Sequence, residues 1–219
     1  MNRAFNATKL DFYASRSMIG LTSILVVIGI IIGVVAHGPE YMMIFMMVFG
    51  VSSSGSVFSV HEKSRSDRLY GILPLKKSDI IVGRYLFALI IGLAYAVVAA
   101  ILGFVLSIIM LGKVDMLPYL AALAVAFAYF CFATSIAYPI YFRFSFSKAY
   151  VFTMLPMYII AVMLLFATRR MNVAAAIGPV VKFFTDHTAL LPVFGLLAGL
   201  IMLTVSALIA YKVYQRKEL

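Results

Sequence analysis

Carboxylates and histidines are the side chains from which this chain could build a proton relay, a metal centre or a hydrolytic site. Their placement argues against all three. The acids are Asp11, Glu40, Glu62, Asp67, Asp79, Asp115, Asp186 and Glu218. None falls deep in an apolar window, whereas an ion-coupled carrier keeps a carboxylate at membrane depth. His37, His61 and His187 lie near the ends of different windows. Two are expected on one side of a membrane and one on the other, so they do not converge on a metal. Intramembrane hydrolysis needs a nucleophile at depth, and the only candidates are Ser and Thr, which more often bond to their own helix. Cys131 is the one cysteine, so it reads as a small packing residue. Gly71-Ile72-Leu73-Pro74-Leu75-Lys76-Lys77-Ser78 approximates a phosphate-binding loop. Lys76 stands where the second glycine must let the backbone wrap phosphate, and no buried strand precedes the run. No catalytic residue, metal or self-bound cofactor is therefore expected.

The segment with most to say is His61 to Tyr85, HEKSRSDRLYGILPLKKSDIIVGRY. It is the longest and most charged stretch between apolar windows on its side. Glu62, Lys63, Arg65, Asp67 and Arg68 suit a short polar helix. Leu69, Tyr70, Ile72 and Leu73 follow, and Gly71 and Pro74 break the helix. Apolar anchors ringed by charges in a short loop point to a protein partner. Ser78 or Asp79 is placed to cap the helix that follows.

The elements around this loop follow from composition. The chain has 219 residues, 64% of them hydrophobic and only 12% charged. A soluble domain carries about twice that charge, so lipid is the solvent for most of the surface. A helix crosses the hydrocarbon with about 20 apolar residues. Six windows qualify, at about 17–36, 41–60, 80–111, 117–142, 149–168 and 189–211. The expected fold is an all-α membrane protein, one membrane domain of six transmembrane helices spanning residues 1–219 with no soluble domain. With the amino terminus inside, 14 of the 18 basic residues are cytosolic, and only Lys113, Arg169, Arg170 and Lys182 lie outside. That bias sets both ends in the cytosol. The net charge of +10 then reads as topology and attraction to anionic lipid rather than to nucleic acid. The first apolar window is too long for a signal peptide. Residues 1–16 read as an amphipathic interfacial helix, with Phe5, Phe12 and Tyr13 toward lipid and Arg3, Lys9 and Arg16 at the headgroups.

Within the spans, Met42, Met43, Met46 and Met47 fall near one face of span two. The inner half of that span is small and polar, including Ser53 and Ser56. Span five adds Met154 and Met157, with a kink expected at Pro156. Pliable methionines suit varied apolar clients, so Met43, Met46, Met47, Ser53, Ser56, Met154 and Met157 are candidates for a substrate path, with ordinary packing as the alternative. Gly29 and Gly33, four apart, are a possible helix-contact pair.

Glu62, then Leu73-Pro74-Leu75 with its basic pair, Ser78-Asp79-Ile80-Ile81-Val82 and Gly83-Arg84-Tyr85-Leu86 resemble the short permeases of bacterial type-2 ABC exporters. The six-span topology, the cytosolic ends and the amphipathic start match the same family. The resemblance implies that the loop between spans two and three carries a coupling helix seated on a separate ATPase subunit. Glu62, Arg65, Arg68, Leu69, Tyr70, Leu73 and Pro74 would make that contact. Arg143 and Phe144, in the aromatic turn between spans four and five, would supply a second one, with an interfacial anchor as the alternative. It further implies two permeases with two ATPases, ATP and Mg bound only by the partner, and spans two and five bordering the dimer interface and the path. The outer loop 169–188 would be a re-entrant cap, with a plain surface loop as the alternative. The location would be the bacterial cell membrane, and the clients amphipathic or hydrophobic, such as phenol-soluble modulins or other toxin and antimicrobial peptides. A self-sufficient channel or carrier, and a membrane-anchored immunity protein, are the competing functions.

Overall fold

A charge-free run in lipid has no water to satisfy its backbone, so it must close its own hydrogen bonds and become helical. The computed structural model describes residues 2–15, 19–63, 77–155, 158–159 and 191–215, and all of its regular structure is α-helix. The helices are α1 (Asn2–Ser15), α2 (Ile19–Val35), α3 (Pro39–Lys63), α4 (Lys77–Leu111), α5 (Met116–Arg143), α6 (146–155, with 158–159 also helical) and α7 (Leu191–Gln215). Four of them, α3, α4, α5 and α7, are long and apolar enough to cross a membrane. The first expected span appears as the 17 residues of α2, about 25 Å of helix. Most of the fifth expected span, and the whole 169–188 loop, lie outside the described residues.

The helix ends depart from the expected windows in one informative way. Span two was expected to stop at residue 60, with Glu62 and Lys63 opening a separate loop helix. Instead α3 runs unbroken from Pro39 to Lys63. Continuing the helix keeps the last backbone groups bonded, which a break at the window edge would forfeit. Between α2 and α3 the chain reverses at His37, whose φ is 55°. The His37 N–H donates to the Val34 carbonyl and the Gly38 N–H to the Gly33 carbonyl. That pair of bonds ends a helix on a left-handed residue and fixes a tight antiparallel turn. Gly112, with φ of 69°, ends α4 by a single bond to Ile108.

The core forms where α3 packs between α2, α4 and α5, with α7 lying along α5. Small residues set the spacing. Gly50 and Gly92 flank the ring of Phe130, which is fully buried. Gly29 and Gly33 receive Met46 and Met42, so this glycine pair is spent on contact within the chain. Cys131 is buried against Gly199.

Hydroxyls tie the helices where apolar contact alone gives little preference over lipid. Pro139 interrupts α5, and its missing N–H leaves the Ser135 carbonyl without a helical donor. Ser206 of α7 supplies one at 2.7 Å, and the Tyr85 hydroxyl of α4 lies 2.6 Å from that same Ser206 Oγ. Ser206 spends its proton on the carbonyl, so Tyr85 is the donor to Ser206, and three helices share one chain of bonds. Ser53 pairs with Tyr95, Tyr141 with Thr153, and Tyr138 donates to the Ser54 carbonyl.

A methyl at Gly92 would collide with the Phe130 ring. Gly92→Ala should therefore destabilise the protein by about 1–3 kcal/mol through overpacking. Gly195→Ala, whose added carbon comes no nearer than 3.4 Å to anything, should stay within about 0.5 kcal/mol. Thermal unfolding in detergent checks the pair, and equal midpoints would remove Phe130 from its place between these helices.

Candidate functional site

At one end of the bundle α3, α5 and α7 finish and α4 begins. Lys63, Arg84, Arg143, Lys148 and Lys212 gather there, whereas the opposite end carries Glu40, Lys113 and Asp115. We call the first of these the basic end.

Glu62, in the last turn of α3, reaches across to the turn joining α5 and α6. Its Oε1 accepts from the Ser145 hydroxyl at 3.1 Å and the Ser147 hydroxyl at 3.0 Å, and its Oε2 accepts from the Ser147 N–H at 3.1 Å. Ser147 is the second residue of α6, so its amide is one of the donors a helix start leaves open. A local capping box would need Glu or Gln at position 148. The chain has Lys148 there, and the carboxylate comes from a different helix. The anion also opposes the positive end of the α6 dipole. Partial desolvation pushes the Glu62 carboxyl up, but the bonds from Ser147 and Ser145 together outweigh it and hold the group below the ordinary carboxylate value.

A second buried link fixes α1. Thr8 and Asp11 share one face of that helix and turn inward, while Phe5, Phe12 and Tyr13 stay exposed. Asp11 is 1% exposed, and its Oδ1 lies 2.8 Å from Nε2 of His61, the residue before Glu62. The Thr8 hydroxyl donates to the Gly83 carbonyl of α4. The last turn of α3 thus holds α1 on one side and the α5–α6 turn on the other.

Of the residues expected to contact an ATPase, Glu62, Arg143 and Phe144 come together around a cavity of about 330 Å³. Arg65, Arg68, Leu69, Tyr70, Leu73 and Pro74 lie outside the described residues. The expected path residues divide. Met43, Met46 and Met47 are at most 1% exposed and fill the space between α3 and its neighbours, though Met43 also borders a 460 Å³ cavity at the opposite end. Ser53 and Ser56 line a largely apolar cavity of about 690 Å³ beneath α1. Met154 is buried, with its sulfur accepting from Ser52. Met157 lies outside the described residues. Among the described residues, no three His, Cys, Asp or Glu side chains are grouped to hold a metal.

Sequence reasoning placed His61, Arg84, Ser145 and Ser147 in segments on this side but missed the bonds and ring contacts they make, and it missed the inward turn of Asp11. The available signal was weak: two serines in a short aromatic turn beside Lys148, and an acid three residues from Thr8 on an otherwise basic helix.

Residues 8–215 match the family model described as ABC-2 family transporter protein. No curated protein and no solved structure matches the chain.

Glu62→Ala should free the α5–α6 turn. Loss of a helix cap costs about 0.5–2 kcal/mol, with the low half of that range expected for an exposed carboxylate. Trypsin cleavage after Arg143 and Lys148 should accelerate several-fold, and adding Ser147→Ala should contribute little more. Additive effects of the two substitutions would show that the two residues act separately.

Proposed function

The chain belongs to the ABC-2 family of transporter proteins, whose members are membrane permease components of ABC transporters working with an ABC ATPase, and from that premise we propose that it is the permease subunit of an exporter. It moves an amphipathic or hydrophobic client, such as a toxin or antimicrobial peptide, out of the cell. ATP is hydrolysed on a separate cytosolic subunit, and the working unit is two permeases with two ATPases. The basic end faces the cytosol, in line with the retention of Lys and Arg on that side. Six spans cross the cell membrane. The aromatic face of α1 lies in the inner headgroup layer, where exposed Phe5, Phe12 and Tyr13 find an apolar boundary.

The observation that carries this reading is the clamp at Glu62. An ATPase stroke must reach the spans through rigid contacts, and loops alone transmit little. Glu62 makes the end of α3 and the α5–α6 turn one unit, so a subunit pressing on the 62–74 segment and on Arg143-Phe144 would push α3, α5 and α6 together. The exposed Phe144 ring with the Arg143 guanidinium 5.4 Å from its centroid offers the aromatic and arginine chemistry common at interface hot spots.

Leu69→Ala combined with Leu73→Ala should weaken ATPase binding by at least 2 kcal/mol, about 30-fold, and abolish coupled export. Lys76→Ala should matter far less. ATPase retention on a tagged permease in detergent, followed by client export in cells, measures both. Full retention and full export in the double variant would reduce the segment to a solvated loop and overturn the docking assignment.

A further inference from the structure

Arg84 stands about two turns inside α4 and is only 8% exposed. Its guanidinium lies 4.4 Å from the centroid of the Phe58 ring and 5.3 Å from that of Phe142. Stacking of this kind serves the faces of the guanidinium and leaves its in-plane N–H groups to be satisfied otherwise. One of them is left without a partner. Nε is buried without a hydrogen-bond partner, and among the described residues the one carboxylate ion pair is that of Asp11 with His61. Glu62 borders the same 330 Å³ cavity, but its oxygens are already engaged by Ser145 and Ser147.

Glu62 is the carboxylate on this rim, and a buried guanidinium with no anion bonded to it among the described residues is costly unless one joins it. The cavity beside Arg84 has room for one and is rimmed by the aromatic rings of Phe144 and Phe146, with Tyr214 and a second cation, Arg143. A tetrahedral oxyanion matches the arginine fork, which grips two of its oxygens in one plane. Basic pockets between membrane helices at the cytosolic level are also suited to lipid headgroups. We propose that this cavity binds a phosphate group held in the plane of the Arg84 guanidinium. The source is either an anionic phospholipid headgroup or free inorganic phosphate, and the aromatic rim together with the apolar outer face of α4 favours the lipid. The site requires only this chain and does not depend on the ATPase assignment.

The test uses the full chain, stripped of lipid in detergent. Three probes are offered: short-chain phosphatidylglycerol, inorganic phosphate, and a diacylglycerol of equal chain length without phosphate. Bound probe is counted by native mass spectrometry. Phosphatidylglycerol should bind the native chain, with affinity reduced at least tenfold in Arg84→Gln. Arg84→Lys, which keeps the charge without the fork, should fall between them. Diacylglycerol should bind no better to the native chain than to either variant. Displacement of the lipid by inorganic phosphate at comparable concentration identifies free phosphate as the ligand, and its failure to compete identifies the headgroup. Since Arg84→Gln could fold poorly, a headgroup photolabel on phosphatidylglycerol is applied to the native chain as well, with adducts expected in residues 142–146. Equal lipid binding by native and Gln chains, equal binding of diacylglycerol and phosphatidylglycerol to the native chain, no binding of either phosphate probe, or adducts confined to other segments would each overturn the proposal.

Discussion

Lipid offers no partner to a buried polar atom, and every helix contact in this protein is shaped by that fact. Packing leucine against leucine gains little over packing leucine against an acyl chain, so helix pairs need small residues for close approach and hydroxyls for direction. Both devices recur along the bundle. Glycines of α3 and α4 admit Phe130. Ser206 repairs the carbonyl that Pro139 leaves open, and Tyr85 joins the repair. Tyr85, Tyr95, Tyr138 and Tyr141 each supply a large apolar ring and a directed bond, which suits a core that must be both fatty and ordered.

The same constraint explains why charge is kept to the ends, and why the basic end is so densely bonded. Asp11 enters the protein only because His61 meets it. Glu62 is held by three donors from a turn that would otherwise leave them open. Adjacent residues of one helical turn thereby bind α1 on one flank and the start of α6 on the other. Arg84 sits behind them between two rings.

Much of the architecture was legible in the sequence, for a simple reason. Charge-free runs of about 20 residues have one stable form in lipid, so α3, α4, α5 and α7 were visible as windows. Their ends were less visible, because hydrophobicity stops before hydrogen bonding does. α3 continues through His61, Glu62 and Lys63, which a hydropathy window assigns to a loop. The methionine stripe on α3 was recognisable, but its surroundings depended on where Gly29, Gly33 and Gly103 would lie. The partners of Asp11 and Glu62 were out of reach. Each lies on another helix, and local patterns carry no information about which distant serine or histidine will arrive. Arg84 stood out only as the lone charge near the start of an apolar run. Its aromatic enclosure is a property of the folded end.

In the mechanism proposed above, the basic end of the bundle is where a partner ATPase drives the permease. A photo-crosslinking residue placed at Phe144, or at Lys113 on the opposite end, in the assembled transporter in native membranes tests it most directly. An ATPase adduct is expected from position 144 and none from position 113. An adduct from 113, or none from 144 while the complex still copurifies, would contradict it.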